Sequence, residues 1–221
     1  MCSVSEVNIL SVVIPGKPMK KFVIALISAV AAGVIPNLTL AQGDAAAGQA
    51  KSALCASCHG ADGNSQLDIN PKLAGQSAAY MVKQLKDFKS GARAGATMAA
   101  MVLSLDEQGM EDIAAWYASQ EATVQGADPE LVELAASLYR GGNKEIAVAA
   151  CSACHSPTGS GNAQAGFPAL SGQHAAYTLQ QLKDFRSGAR ENDTSGMMRT
   201  VVERLTDKEL EALASYVSGL N

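Results

Sequence analysis

The sequence predicts an all-α fold made of two tandem domains related by internal duplication. Three observations carry this: one set of motifs written twice at offsets of 96 to 100 residues, apolar stripes at helical spacing, and no runs of alternating β-branched residues. A content of 48% hydrophobic, 5% aromatic and 17% charged residues belongs to a folded, alanine-rich chain and not to a disordered one.

The first 41 residues stand apart. From Met19 they read Met-Lys-Lys, an apolar run from Phe22 to Ile35, and Thr39-Leu40-Ala41 ahead of Gln42-Gly43-Asp44. A basic start, an apolar centre and a small-residue end describe a cleaved export signal over 1–41. The apolar run of about 14 residues is shorter than the roughly 20 that a membrane-spanning helix needs. Residues 1–18 carry no export pattern, so Met19 is a candidate translation start and Cys2 then plays no part. The expected domains are 42–124 and 125–221.

Each domain reads as a few helices joined by loops. Pro71-Lys-Leu-Ala-Gly75-Gln76 returns as Pro168-Ala-Leu-Ser-Gly172-Gln173, and Tyr80, Gln84, Lys86-Asp87-Phe88 and Ser90-Gly91-Ala92-Arg93 return as Tyr177, Gln181, Lys183-Asp184-Phe185 and Ser187-Gly188-Ala189-Arg190. Middle helices are expected over 77–90 and 174–187, closed by Gly91 and Gly188. The last helix of each copy carries a stripe, Met110, Ile113, Ala114 and Tyr117 in one and Leu210, Leu213, Ala214 and Val217 in the other, with Asp106 and Thr206 as N-caps. Copy two is expected to open its first helix at Asp128-Pro129, with Leu131, Leu134, Ala135 and Leu138 as its stripe. It then carries about twelve extra residues, including Arg140-Gly141-Gly142, before its first cysteine. Residues 119–127 join the halves.

Without residues 1–41 the chain holds 14 basic and 20 acidic side chains, shared as 6 against 9 and 8 against 11 between the halves. Nucleic acid is excluded as a partner, because its recognition needs a basic footprint.

The chemistry lies in Cys55-Ala-Ser-Cys58-His59 and Cys151-Ser-Ala-Cys154-His155. Cys-x-x-Cys-His is the attachment motif of c-type haem. Two thiols one turn apart can each add to a vinyl group of one porphyrin, and the following histidine then lies under the ring to ligate iron. A disulfide would leave two identically placed histidines unexplained. A thioredoxin-like pair calls for a βαβ setting, and a zinc site in copy one lacks a fourth ligand. Two covalently bound haem c groups are therefore expected.

Copy one has no second histidine, which leaves methionine as the usual sixth ligand. Met98 or Met101 and Met197 or Met198 are the candidates. Met98 and Met198 each lie seven residues before Leu105 and Leu205, whereas Met101 pairs with Val201 and Met197 with Thr97. The register favours Met98 and Met198. Pro71 and Pro168 can turn the chain so that a backbone carbonyl accepts the second ring N–H of each histidine. Tyr80, Tyr177, Arg93 and Arg190 suit either haem propionates or ordinary surface roles. His174 reads as an exposed helix-start residue and Trp116 as core packing.

On these residues the chain resembles the dihaem cytochrome c4 family of class I c-type cytochromes. The likeness covers nearly all of 42–221 and rests on both haem motifs, the paired Pro-x-Leu-x-Gly-Gln blocks, Gln-Leu-Lys-Asp-Phe, and the Met-to-Leu-to-helix endings. The resemblance implies two cytochrome c domains about a pseudo-twofold axis, with haem propionate edges close together. It places His59, Met98, His155 and Met198 on axial positions. It also implies a periplasmic, often membrane-associated electron carrier of a respiratory chain, exchanging electrons with quinol–cytochrome c reductase, a terminal oxidase or another periplasmic reductase. Two alternatives are the haem subunit of a dehydrogenase, such as a flavocytochrome, and a dihaem peroxidase with an open iron position.

Overall fold

The computed structural model describes residues 43–221, so the expected export signal lies outside the described residues. The first half contains α1 (Ala45–Lys51), α2 (Ala53–His59), α3 (Ala78–Ser90), α4 (Ala96–Val102) and α5 (Glu107–Ala118). The second contains α6 (Val132–Gly141), α7 (Ser152–His155), α8 (Ala175–Ser187), α9 (Met197–Val202) and α10 (Asp207–Gly219). Among the described residues the only β pairing is two isolated bridges, Asn143 with Val148 and Asn162 with Phe167.

The helix ends follow from local chemistry. Asp106 accepts the Gly109 N–H at 2.8 Å to start α5. Thr206 and Glu209 form a reciprocal capping box at the start of α10. Gly91 and Gly188 take left-handed φ values of 81° and 80°, which end α3 and α8 without a Cβ clash. The predicted stripes of α5 and α10 are buried throughout.

Both halves pack in the same order. In the first, α1 and α3 lie on α5 and α4 lies on α3; in the second, α6 and α8 lie on α10 and α9 lies on α8. Their cores differ in substance. Helix α6 brings Leu138 and Tyr139 into its core, where the Tyr139 ring lies 5.4 Å from that of Tyr216. Helix α1 is mostly alanine, with Gly48 at its centre, and meets α5 backbone to backbone. A Cβ on Gly48 would sit 1.9 Å from the Asp112 carbonyl oxygen, so only glycine permits that approach.

What α1 lacks in side-chain volume is offset by one carboxylate. Asp112, on α5 and 3% exposed at its side chain, accepts from the Asp44 backbone N–H at 2.8 Å, from Gln108 at 2.8 Å and from the Lys51 ammonium. Asp44 in turn caps α1 through the Ala46 and Ala47 N–H groups.

Two expectations need correction. The first helix of copy two begins at Val132, not at Asp128-Pro129. Asp128 instead closes a turn, its side chain accepting the Glu130 N–H at 3.0 Å and its carbonyl the Leu131 N–H at 3.1 Å. Aspartate before proline suits a turn as well as a cap, and here the turn wins. His174 does head α8, but it is buried and not exposed. One ring nitrogen meets the Ser65 carbonyl at 2.9 Å and the other the Gln125 side chain at 3.1 Å.

His174 is buried because the halves meet there. Gln76 pairs its side-chain amide with both the N–H and the C=O of Ala169, at 3.0 and 2.9 Å. Gln173 does the same to Lys72, at 2.8 and 3.0 Å. This exchange makes the pseudo-twofold relation explicit. The connecting segment is tied down as well, by Asn64 to the Glu121 carbonyl and the Thr123 N–H, and by Lys72 to the Thr123 carbonyl and hydroxyl.

Asp112 gives a test of the α1 attachment. Its hydrogen bonds, led by that from Lys51, hold the carboxyl down to about 2, against an ordinary 3.8. A depressed carboxyl stabilises the fold above its ordinary range, and that contribution is lost as pH falls from about 4 towards about 2. Asp112→Asn should therefore lower the thermal unfolding midpoint at pH 7, with the gap to the parent closing in acid. A gap of constant size across that range, followed by circular dichroism, would show that charge is not what holds α1.

Candidate functional site

Each Cys-x-x-Cys-His segment forms a short helix that stops at its histidine. The next residue turns the chain away, Gly60 at φ 83°, ψ 150° and Ser156 at φ 68°, ψ 160°. The two share one conformation although only one is glycine. Within α2, Cys55, Cys58 and His59 stand at i, i+3 and i+4, which is one face of one turn.

Both histidines are buried, and each sets its Nδ1 2.9 Å from a proline carbonyl, His59 on Pro71 and His155 on Pro168. The carbonyl can only accept, so Nδ1 carries the proton and Nε2 keeps its lone pair. Nε2 makes no hydrogen bond in either ring. Burial lowers both imidazoles below their ordinary value, against the opposing pull of the proline carbonyl. The outcome is a neutral, oriented imidazole, as an iron ligand requires.

The loop from histidine to proline is fixed at several points. Leu73 N–H donates to the Gly63 carbonyl at 2.7 Å, and Leu170 N–H to the Gly159 carbonyl at 2.7 Å. A buried tyrosine holds the carbonyl next to each histidine, Tyr117 from α5 on Gly60 at 3.4 Å and Tyr139 from α6 on Ser156 at 2.7 Å. Trp116 packs on the first core as expected, and its indole N–H also donates to the Ala61 carbonyl at 3.1 Å. In copy two the Asn162–Phe167 hairpin brings the Phe167 ring 6.2 Å from that of His155.

The four motif cysteines, Cys55, Cys58, Cys151 and Cys154, form no disulfide among the described residues. Burial pushes the Cys55 thiol up and the Cys151 thiol up to about 11. A thioredoxin-like nucleophile needs the opposite shift. Among the described residues no three His, Cys, Asp or Glu side chains stand together. Thiols on the same turn as an imidazole with a free Nε2 do fit a thioether-linked haem.

The methionine candidates separate by exposure. Met98 on α4 and Met198 on α9 are half-buried, and Met198 packs on the same core as Cys151. Met101 and Met197 are each 41% exposed. Arg93, Arg190, Tyr80 and Tyr177 do not take surface roles: the arginines are buried at the boundary between halves and donate to the tyrosine hydroxyls across it. The residues missed by sequence reasoning are Tyr139, Gln76 and Gln173. The glutamines recur in the repeat and were visible there. Tyr139 has no counterpart in register, so no repeat signal marks it.

Two modules, each with its attachment motif on a short helix and a proline-held histidine, define a tandem c-type cytochrome. The family model for cytochrome c matches residues 45–121 and again 142–221. Cytochrome c4 of Azotobacter vinelandii is 47% identical over 197 residues, covering 85% of this chain and 94% of that protein. Cytochrome c4 of Thiocapsa roseopersicina is 50% identical over 181 residues, covering 81% and 94%. The crystal structure of reduced recombinant cytochrome c4 from Pseudomonas stutzeri superposes with a TM-score of 0.79 at 48% identity, over 81% of this chain and all of that one. The chain belongs to the cytochrome c4 family. It is an electron carrier and not an enzyme, with one covalently bound haem c in each module.

The tyrosine locks yield a graded prediction. Tyr139→Phe leaves the Ser156 carbonyl without its partner and should cost about 1–2 kcal/mol in denaturant unfolding, with two haems still attached. Tyr117→Phe removes a longer bond and should cost less. Equal costs would mean that the hydroxyls do not hold these loops.

Proposed function

We propose that this protein carries electrons in a periplasmic respiratory chain, delivering them to a terminal oxidase. In this assignment Cys55 and Cys58 hold one haem and Cys151 and Cys154 the other. His59 and Met98 close the first iron, and His155 and Met198 the second. The domains run 42–124 and 125–221. The matched pair of proline-held histidines, each with a free Nε2, carries the ligand assignment. The half-buried state of Met98 and Met198 against the exposure of Met101 and Met197 supports the choice of sulfur.

When bound, haem supplies a one-electron couple whose potential depends on axial ligand, burial and hydrogen bonding. The chain's own residues set those terms. The proline carbonyls polarise the imidazoles by accepting from Nδ1, and the thioether sulfur of methionine favours the reduced iron. The buried tyrosines keep the loop next to each histidine from opening to water. The excess of acidic side chains points to partners with basic contact surfaces. Export to the periplasm is supported by the basic and apolar pattern of 1–41.

Haem stoichiometry and a red-region absorption spectrum test the assignment directly, with two haems per chain and methionine–iron bands expected. Met198→Ala should lower one midpoint potential and leave the other nearly unchanged. Equal shifts of both would remove either the ligand assignment or the independence of the two sites. Turnover of peroxide by the reduced protein would favour a peroxidase instead.

A further inference from the structure

The proline carbonyl that accepts from each histidine belongs to a peptide whose other end is occupied as well. The peptide from Pro71 to Lys72 accepts from His59 Nδ1 at 2.9 Å and donates its N–H to Gln173 Oε1 at 2.8 Å. The peptide from Pro168 to Ala169 accepts from His155 Nδ1 at 2.9 Å and donates its N–H to Gln76 Oε1 at 3.0 Å. The C=O and N–H of a trans peptide point opposite ways and share one resonance system. Each histidine is thus two hydrogen bonds and one peptide away from a side chain of the other module.

Both glutamines are held in place for this contact. Gln173 Oε1 also accepts the His174 N–H at 3.0 Å, and Gln76 Oε1 the Ser77 N–H at 2.9 Å. Backbone N–H groups only donate, so two of them converging on one atom identify it as the amide oxygen. The amide nitrogen of each glutamine is engaged by the next carbonyl, that of Lys72 or Ala169. The receiving end uses backbone alone, so the same contact forms although one copy has lysine there and the other alanine.

We propose that Gln173 is a positioning residue for His59, and Gln76 for His155, each setting the donor strength of the imidazole in the module to which it does not belong. This rests on the histidine–haem assignment above. Hydrogen bonds in series strengthen one another. An N–H that donates moves electron density onto the carbonyl oxygen of its own peptide, and that oxygen draws harder on the Nδ1 proton. The imidazole is then the more basic at Nε2. A more electron-rich ligand favours oxidised iron, so each glutamine holds down the midpoint potential of the opposite haem.

Redox titration of the holoprotein, with the two haems resolved by proton NMR, tests this. Gln173→Leu removes the acceptor and should raise the potential of the His59 haem with little change at the other. Gln76→Leu should do the reverse. Gln173→Glu keeps an acceptor for the Lys72 N–H, adds charge to it, and should lower the potential of the His59 haem instead. In the reduced protein the His59 Nδ1 proton should move upfield in Gln173→Leu and downfield in Gln173→Glu, with that of His155 unmoved. Shifts confined to the altered glutamine's own module, equal shifts at both haems, or unmoved Nδ1 protons would overturn the role. If Gln173→Leu does not fold, the direction in which the His59 Nδ1 proton moves in Gln173→Glu decides alone. Two haems per chain with methionine–iron bands keep the ligand assignment standing when the glutamine role fails; a parent protein without them would remove that assignment and this role together.

Discussion

One hydrogen bond per module organises the rest: the donation from histidine Nδ1 to a proline carbonyl, at 2.9 Å in both. It selects the tautomer, orients the ring and leaves Nε2 free. The surrounding chain is built to deliver that carbonyl. The helix must end at the histidine, the next residue must turn at positive φ, and the loop must return after 12 residues in one copy and 13 in the other. Proline suits the acceptor position because its ring limits the backbone and its lost N–H needs no partner.

The duplicated geometry is enforced by unlike materials. Gly60 adopts its positive φ freely, whereas Ser156 does so with its hydroxyl accepting the Ser160 N–H at 2.9 Å. The tyrosine that holds the next carbonyl comes from the last helix of module one and from the first helix of module two. Module one closes α1 through Gly48 and the Asp112 carboxylate; module two closes α6 with an apolar stripe and a tyrosine pair. Only module two adds the Asn143–Val148 and Asn162–Phe167 hairpins. Two modules with the same histidine geometry thus differ in burial and polarity around it, and those are the variables that set a haem potential.

Much of this was legible in the sequence, because it is local. Cys-x-x-Cys-His, the glycine ends of α3 and α8, and the stripes of α5 and α10 each depend on residues within two turns of one another. The helix expected at Asp128 failed because an aspartate beside proline caps a turn as readily as a helix. His174 and Arg93 were illegible for another reason. A polar residue at a helix start or in a loop looks solvated unless the partner from the other half is known. The Ser65 carbonyl that meets His174 lies 109 residues away, and Tyr177, which meets Arg93, lies 84 away.

The boundary between modules is polar where the module cores are apolar, and this difference has a mechanical meaning. Apolar contact is non-directional, so two surfaces held by it can slide at little cost. An amide that reads both the N–H and the C=O of one residue across the boundary fixes position and rotation together. Gln76 and Gln173 do this twice, symmetrically, and Gln84 and Gln181 bridge the two guanidiniums beside them. No buried side-chain nitrogen or oxygen is left without a hydrogen-bond partner among the described residues. A boundary of this kind holds two sites in one register.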